Sequence, residues 1–100
     1  MFNNARYVTS GIAAEIPEPL QIMLWSMIDT MVVEKKDYLQ VFELEAIGLD
    51  SKQPIQKITH RQEVPVYKKE YYLKSDFPMK KKIFIIDDET HSTMLLASEY

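Results

Sequence analysis

The densest group of reactive side chains is the run Asp87-Asp88-Glu89-Thr90-His91-Ser92. Carboxylates and an imidazole are ligands that suit a divalent metal, so Asp87, Asp88 and His91 are candidate metal ligands. Asp87 and His91 could also form an acid–base pair with Ser92 as nucleophile, as in a hydrolytic enzyme. Short polar residues between two strands are, however, typical of a turn, because their side chains bond nearby backbone amides. We favour the turn and expect no metal and no cofactor.

The second imidazole, His60, lies in the polar run 58–63. As a general base it would need a partner such as Glu63, but we expect it to be a half-exposed surface residue. The chain has no cysteine, which excludes disulfides, thiolate metal sites and cysteine nucleophiles. Its two glycines are too few for a glycine-rich phosphate-binding loop.

Positive charge is concentrated in residues 52–82, which carry nine basic and three acidic side chains in a chain of net charge −3. Cations near tyrosines suit nucleic acid, because cations contact phosphates and aromatic rings stack on bases. The candidate contacts are Lys57, Arg61, Lys68, Lys69, Tyr71 and Lys74. A solvated sheet edge, protected from aggregation by its lysines, explains the same composition. Because the net charge opposes broad polyanion binding, nucleic acid is an alternative that we do not favour.

The elements that must position these side chains follow from the hydrophobic pattern. One apolar stripe has the spacing of a helix and consists of Leu20, Met23, Leu24, Met27, Ile28 and Met31. It predicts an amphipathic helix over about residues 17–34, with Met27 and Ile28 buried. Prolines 17 and 19 suit its first turn.

Strands are predicted over residues 5–13, 38–47, 55–64, 66–74, 82–86 and 92–97. We expect the polar 55–64 segment at an exposed or edge position and the apolar 82–86 segment to be the most buried strand. Gly11 indicates a bulge or a close approach by another segment. Since long helices do not alternate with the strands, we predict an α+β fold. It consists of a mainly antiparallel sheet of five to six strands with the helix on one face, and residues 1–100 form a single domain.

A single helix covers only one face of such a sheet. The runs Ile83–Ile86 and Met94–Leu96 nevertheless place apolar side chains on both faces, and a large uncovered apolar face marks an interaction site. We therefore expect a homodimer or a complex with another protein. Ile22 and Trp25, which lie outside the helix stripe, are interface candidates.

The apolar region 20–33 is too short and too often interrupted by polar residues to cross a bilayer, which needs about 20 apolar residues. We also find no targeting signal at the start of the chain. The expected location is the cytoplasm, with no membrane association, and the lack of cysteine agrees with a reducing compartment.

Two segments carry a resemblance to a known family. They are Phe2-Asn3 to Asp29, which includes Arg6-Tyr7-Val8-Thr9-Ser10-Gly11-Ile12, and Ile85-Ile86-Asp87-Asp88-Glu89-Thr90-His91-Ser92-Thr93-Met94-Leu95-Leu96. Together they resemble a family of short uncharacterised proteins of low-GC Gram-positive bacteria, their phages and mobile elements. The resemblance implies a bacterial cytosolic protein and assigns no activity, cofactor or site. A small non-enzymatic interaction or adaptor protein is our first interpretation. A nucleic-acid-binding accessory protein using residues 52–82 is the second, and an enzyme at the Asp87–His91 turn is the third.

Overall fold

The computed structural model describes residues 1–100 and has an α+β fold built on one six-stranded sheet. The strands are β1 (Ala5–Val8), β2 (Leu39–Ile47), β3 (Ile55–Gln62), β4 (Tyr67–Lys74), β5 (Lys81–Asp87) and β6 (His91–Leu96). The helices are α1 (Ser10–Glu15), α2 (Glu18–Thr30) and a 3-10 turn (Ala97–Glu99). The strand order is β1-β6-β5-β2-β3-β4. Only the β1–β6 pair is parallel, so the mainly antiparallel sheet is confirmed.

The hydrophobic core lies between α2 and one face of the sheet. Leu24, Met27 and Ile28 of α2 are buried, as the apolar stripe predicts. They pack with inward-facing side chains of β2, β3, β5 and β6, among them Phe42 and Ile85. The buried residues of both helices belong to this core, so both helices lie on the same face of the sheet. Alternate residues of each strand point to the opposite face, which carries no helix. We call it the open face.

Two predicted boundaries are wrong near the helices. The first strand ends at Val8 rather than residue 13, because the Thr9 hydroxyl accepts a hydrogen bond from the Ile12 backbone N–H at 3.3 Å and so begins α1. The second helix ends at Thr30 rather than residue 34. Residues 32 and 33 are β-branched valines, which are poor helix formers.

Gly11 lies in α1 and not in a strand bulge, but the predicted close approach exists. A Cβ atom at this position would lie 2.6 Å from the Oε2 atom of Glu99. That carboxylate accepts hydrogen bonds from the Thr9 hydroxyl at 2.7 Å and from the Leu96 backbone N–H at 2.8 Å. The missing side chain at Gly11 therefore leaves room for the Glu99 carboxylate, whose hydrogen bonds hold the 3-10 turn against the start of α1.

The prediction that residues 55–64 form an exposed or edge strand is wrong. β3 lies between β2 and β4, and five of its eight residues are buried. The edge strand at this end of the sheet is β4, in which no residue is fully buried. Polar side chains enter the interior because they are hydrogen-bonded; Gln56, for example, bonds both the N–H and the C=O of Met79. The expectation that residues 82–86 form the most buried strand is also wrong, since three of the seven residues of β5 are buried and five of the eight residues of β3 are.

Candidate interaction surface

The open face carries a continuous set of largely apolar side chains at its β1 end, formed by two adjacent rows. The first row crosses four strands through the pairs Tyr7–Thr93, Thr93–Ile86 and Ile86–Leu39. The second crosses three strands through Leu95–Phe84 and Phe84–Val41. We call these seven residues the apolar block. Val41 is buried among its neighbours, Tyr7 is exposed, and the other five are half-buried.

Two tyrosines lie at the margin of the apolar block. Tyr100 is 75% exposed, and its ring meets Phe84 edge to face with the centroids 5.5 Å apart. Tyr7 is 56% exposed and makes a similar contact with His91. Each side chain thus combines a large apolar surface with a hydroxyl that solvent or a partner can reach, a combination that is enriched in protein interfaces.

Most of the other side chains on the open face are charged. The Arg61 Nε donates a hydrogen bond to Glu43 at 2.7 Å, and the Lys57 ammonium lies 2.8 Å from Glu70. Lys68 and Lys82 form no ion pair, although both lie close enough to Glu43 to affect its titration. The hydrogen bond from Arg61 is the main cause that lowers the pKa of Glu43, and the two lysines add to it. Uncompensated positive charge therefore borders the apolar block.

The six candidate nucleic-acid contacts do not form one surface. Register places Lys57, Arg61, Lys68 and Lys74 on the open face. Lys69 and Tyr71 lie on the helix-bearing face, where the ammonium of Lys69 is 5.2 Å from the ring centroid of Tyr71. Two of the four open-face cations are already paired with carboxylates. The arrangement gives little support for a strand of nucleic acid tracking along residues 52–82.

We therefore predict that no complex with a single-stranded oligonucleotide forms at physiological salt. Fluorescence anisotropy with labelled DNA and RNA 20-mers tests this. A phosphate-based complex would weaken steeply with added salt, so the titration is repeated at low salt. A micromolar complex that loses affinity when Lys68 and Lys74 are changed to Ala would contradict the prediction.

The Asp87–His91 run forms the predicted turn, and its side chains are occupied in structural hydrogen bonds. The Asp87 carboxylate accepts from the backbone N–H of Phe2 at 2.6 Å and from that of Glu89 at 2.7 Å. These bonds oppose the cost of burial and lower the pKa of Asp87. Asp88 accepts from the N–H groups of Thr90 and His91. No group of three His, Asp or Glu side chains comes close enough to hold a metal ion. The bonds from Phe2 and Asn4 to the Asp87 carboxylate anchor the N-terminal segment to the turn.

The two interface candidates on α2 differ in their surroundings. Ile22 is 59% exposed. Trp25 is half-buried, with the Arg6 guanidinium carbon 4.8 Å from its ring centroid. Arg6 also donates to both carboxylate oxygens of Asp29 and to the Phe2 carbonyl. Trp25 therefore packs in a contact that joins α2 to β1, and its participation in an interface remains a prediction.

Sequence reasoning missed a buried polar network around His60. The expectation that His60 is half-exposed is wrong, because it is fully buried and stacks on Phe42 with the ring centroids 4.4 Å apart. Its Nε2 lies 2.7 Å from Gln40 Oε1. Gln62, also buried, bonds the backbone of Lys35, Asp37 and Pro65 as well as the Gln40 amide. The i, i+2 spacing of Gln56, Ile58, His60 and Gln62 was the available signal, since it places all four on one face.

Comparisons with known proteins give a family and a fold. A family model described as a staphylococcal protein of unknown function, DUF960, matches residues 5–99. A crystal structure of a protein of unknown function from Enterococcus faecalis is similar, with a TM-score of 0.73 and 23% sequence identity. The match covers 97% of this chain and 91% of that one. No curated protein matches the chain, and no helix of the structure is long and apolar enough to cross a membrane.

Proposed function

Because the chain belongs to the DUF960 family of staphylococcal proteins of unknown function, membership supplies no activity, and we propose a function from the geometry alone. The protein is a small non-enzymatic interaction domain of the bacterial cytoplasm that binds a partner protein on the open face of its sheet. Family membership agrees with the resemblance to short uncharacterised Gram-positive proteins. The absence of cysteine suits a reducing compartment.

The observation that supports this function most strongly is the apolar block. In a two-layer fold the helices cover one face of the sheet, and a solvated second face is usually polar. Here Phe84, Ile86 and Leu95 point away from the core. A contiguous, half-buried apolar surface on the uncovered face of a sheet is a candidate interaction site.

The partner is a second copy of the chain or another protein. Two-fold self-association is the commonest way in which a domain covers such a surface. Replacing Phe84 by Glu tests this, because the side chain is outward-facing and half-buried and the fold should tolerate the change. If the chain is a dimer at tens of micromolar, sedimentation velocity should show that F84E is a monomer. The matched control is Tyr72→Glu on the charged part of the open face, where Tyr72 is 58% exposed.

If the wild-type chain is already a monomer, the function is tested in the cell. A photo-crosslinking residue replaces Leu95 in the apolar block or, as a control, Val32 in the loop after α2, which is 91% exposed. The proposal expects a protein adduct from position 95 that is absent from position 32. It is wrong if the chain is monomeric and position 95 gives no adduct.

A further inference from the structure

We propose that the occupant of the apolar block is an amphipathic α-helix of about three turns from another protein, with acidic side chains along one flank. This inference rests on the proposed function, since it specifies the partner of the same surface. It is carried by the dimensions of the apolar block and by the charges beside it.

The dimensions of the apolar block match one helix. Four strands at a spacing of about 4.8 Å, with their side chains, make the block about 19 Å long. Two rows that are two residues apart along the strands make it about 13 Å wide. An α-helix is about 10–12 Å in diameter and rises 1.5 Å per residue, so about 12 residues cover this length.

The same dimensions argue against a stable dimer through the apolar block. Its projected area is about 250 Å², so a dimer of standard size, in which each partner contributes about 800 Å² of accessible surface, would extend well beyond the apolar block. To reach that area, two copies would also have to bring their charged surfaces together. The open face carries Lys57, Arg61, Lys68, Lys74 and Lys82 against Glu43, Glu45 and Glu70. A second copy would add the same positive excess and would repel the first.

The free lysines indicate the charge of the partner and its place on the helix. Lys82 is exposed beside the second row, with its ammonium 5.8 Å from the ring centroid of Phe84. Lys68 lies at the end of that row, beyond Val41 and Arg61. Arg61 is already bonded to Glu43, so the two lysines are the cations near the apolar block that are available to a ligand. Acidic residues on the helix flank over Lys82, and at its end near Lys68, would pair with them.

A helix bound in this way also uses the rest of the apolar block. Apolar residues at i, i+3, i+4 and i+7 form a stripe that can contact both rows at once. Phe84 lies in the second row between Leu95 and Val41 and would be the central contact, as aromatic residues are in binding hot spots. The exposed Tyr7 and Tyr100 would flank the helix.

The test uses designed helical peptides and the full-length ¹⁵N-labelled protein. Three 14-residue peptides carry a Leu/Ile stripe in different registers and three Glu on one flank, and matched peptides carry Lys in place of these Glu. In NMR titrations we expect shifts confined to β1, β6, β5, β2 and the surroundings of Lys68 in β4. We expect at least one Glu peptide to bind about tenfold more tightly than its Lys counterpart. In the double variant Lys68→Glu, Lys82→Glu the preference should reverse, and its amide spectrum reports whether the fold is intact.

Three results would overturn the inference. They are no shift with any Glu peptide at millimolar concentration, equal affinity for the Glu and Lys peptides, and self-association of the chain through the apolar block without peptide. The last would leave the proposed function standing with a second copy as partner. An adduct from position 95 to a non-helical segment would likewise keep the proposed function and remove only the helix.

Discussion

Replacing Ile28 by Ala is expected to lower the free energy of unfolding by about 3 kcal/mol. Ile28 lies in the last turn of α2, is fully buried and belongs to the core cluster with Phe42 and Ile85. The loss combines the transfer free energy of the deleted carbons with the cavity that remains. Urea denaturation followed by circular dichroism measures it, provided that the slope with urea is unchanged.

Ile22→Ala is the matched control on the same helix. Ile22 is 59% exposed, so little buried surface is lost, and alanine is the better helix former by a few tenths of a kcal/mol. The expected change in unfolding free energy is below about 0.5 kcal/mol. Equal losses for the two variants would mean that α2 does not present the face containing Leu24, Met27 and Ile28 to the core.

The helix illustrates what a local pattern predicts and where it stops. Periodic spacing identifies the buried side of α2, because that side is repeated over three turns. The end of the helix depends only partly on local sequence, through the poor helix formers Val32 and Val33. Residues 35 and 37 are held outside the helix by the side chain of Gln62, which is 25 residues beyond Asp37 in sequence. Without knowledge of that contact, the lysines at 35 and 36 indicate the end of a helix, because cations stabilise the negative end of the helix dipole.

The sheet was predicted in type and in strand number, but the position of β3 was not. Polar composition normally indicates an edge, yet Gln56, His60 and Gln62 are buried because each finds a hydrogen-bond partner. Those partners come from β2 and from two loops distant in sequence. Strand order depends on such long-range pairings, so composition alone assigned the edge to the wrong strand.

The candidate interaction surface was accessible from the sequence only in part. The unbroken run Ile83–Ile86 predicts apolar side chains on both faces of β5, and the structure agrees, with Ile83 and Ile85 inward and Phe84 and Ile86 outward. The extent of the apolar block, however, follows from the register between strands. Tyr7 joins it through the parallel β1–β6 pair, which no turn or spacing in the sequence predicts.

Acidification from pH 7 to pH 5 is expected to cost the protein about 2 kcal/mol of stability through His60 alone. Burial, with a smaller effect of the charge on Lys36, lowers the pKa of His60 from 6.5 to about 4. Between these values the unfolded chain binds a proton that the folded chain does not, so stability decreases as the pH falls through 6.5. The full penalty, about 3 kcal/mol, is reached below about pH 4.

The geometry gives the reason for this low pKa and fixes the tautomer. Gln40 donates its amide hydrogens to the Asp37 carbonyl and to Gln62 Oε1. Its Oε1 must therefore accept the hydrogen bond at His60, and Nε2 carries the proton. Nδ1 is buried without a partner. Protonating Nδ1 would place a charge and an unsatisfied N–H in the core beside Phe42, which is costly.

Urea denaturation at pH 5, 6 and 7 measures the effect, and His60→Gln is the informative variant. Glutamine can donate to Gln40 Oε1 but cannot titrate, so this variant should be less stable at pH 7 and nearly independent of pH between 5 and 7. Carboxylates such as Asp87 and Glu43 contribute little to the change in stability between pH 5 and 7. Their pKa values in the folded protein are lowered from about 4, so they take up protons mainly below this range. The exposed pair His91–Asp88 provides the second control, and His91→Gln should retain the pH dependence. If wild type and His60→Gln lose stability in parallel, the buried imidazole is not the group that titrates.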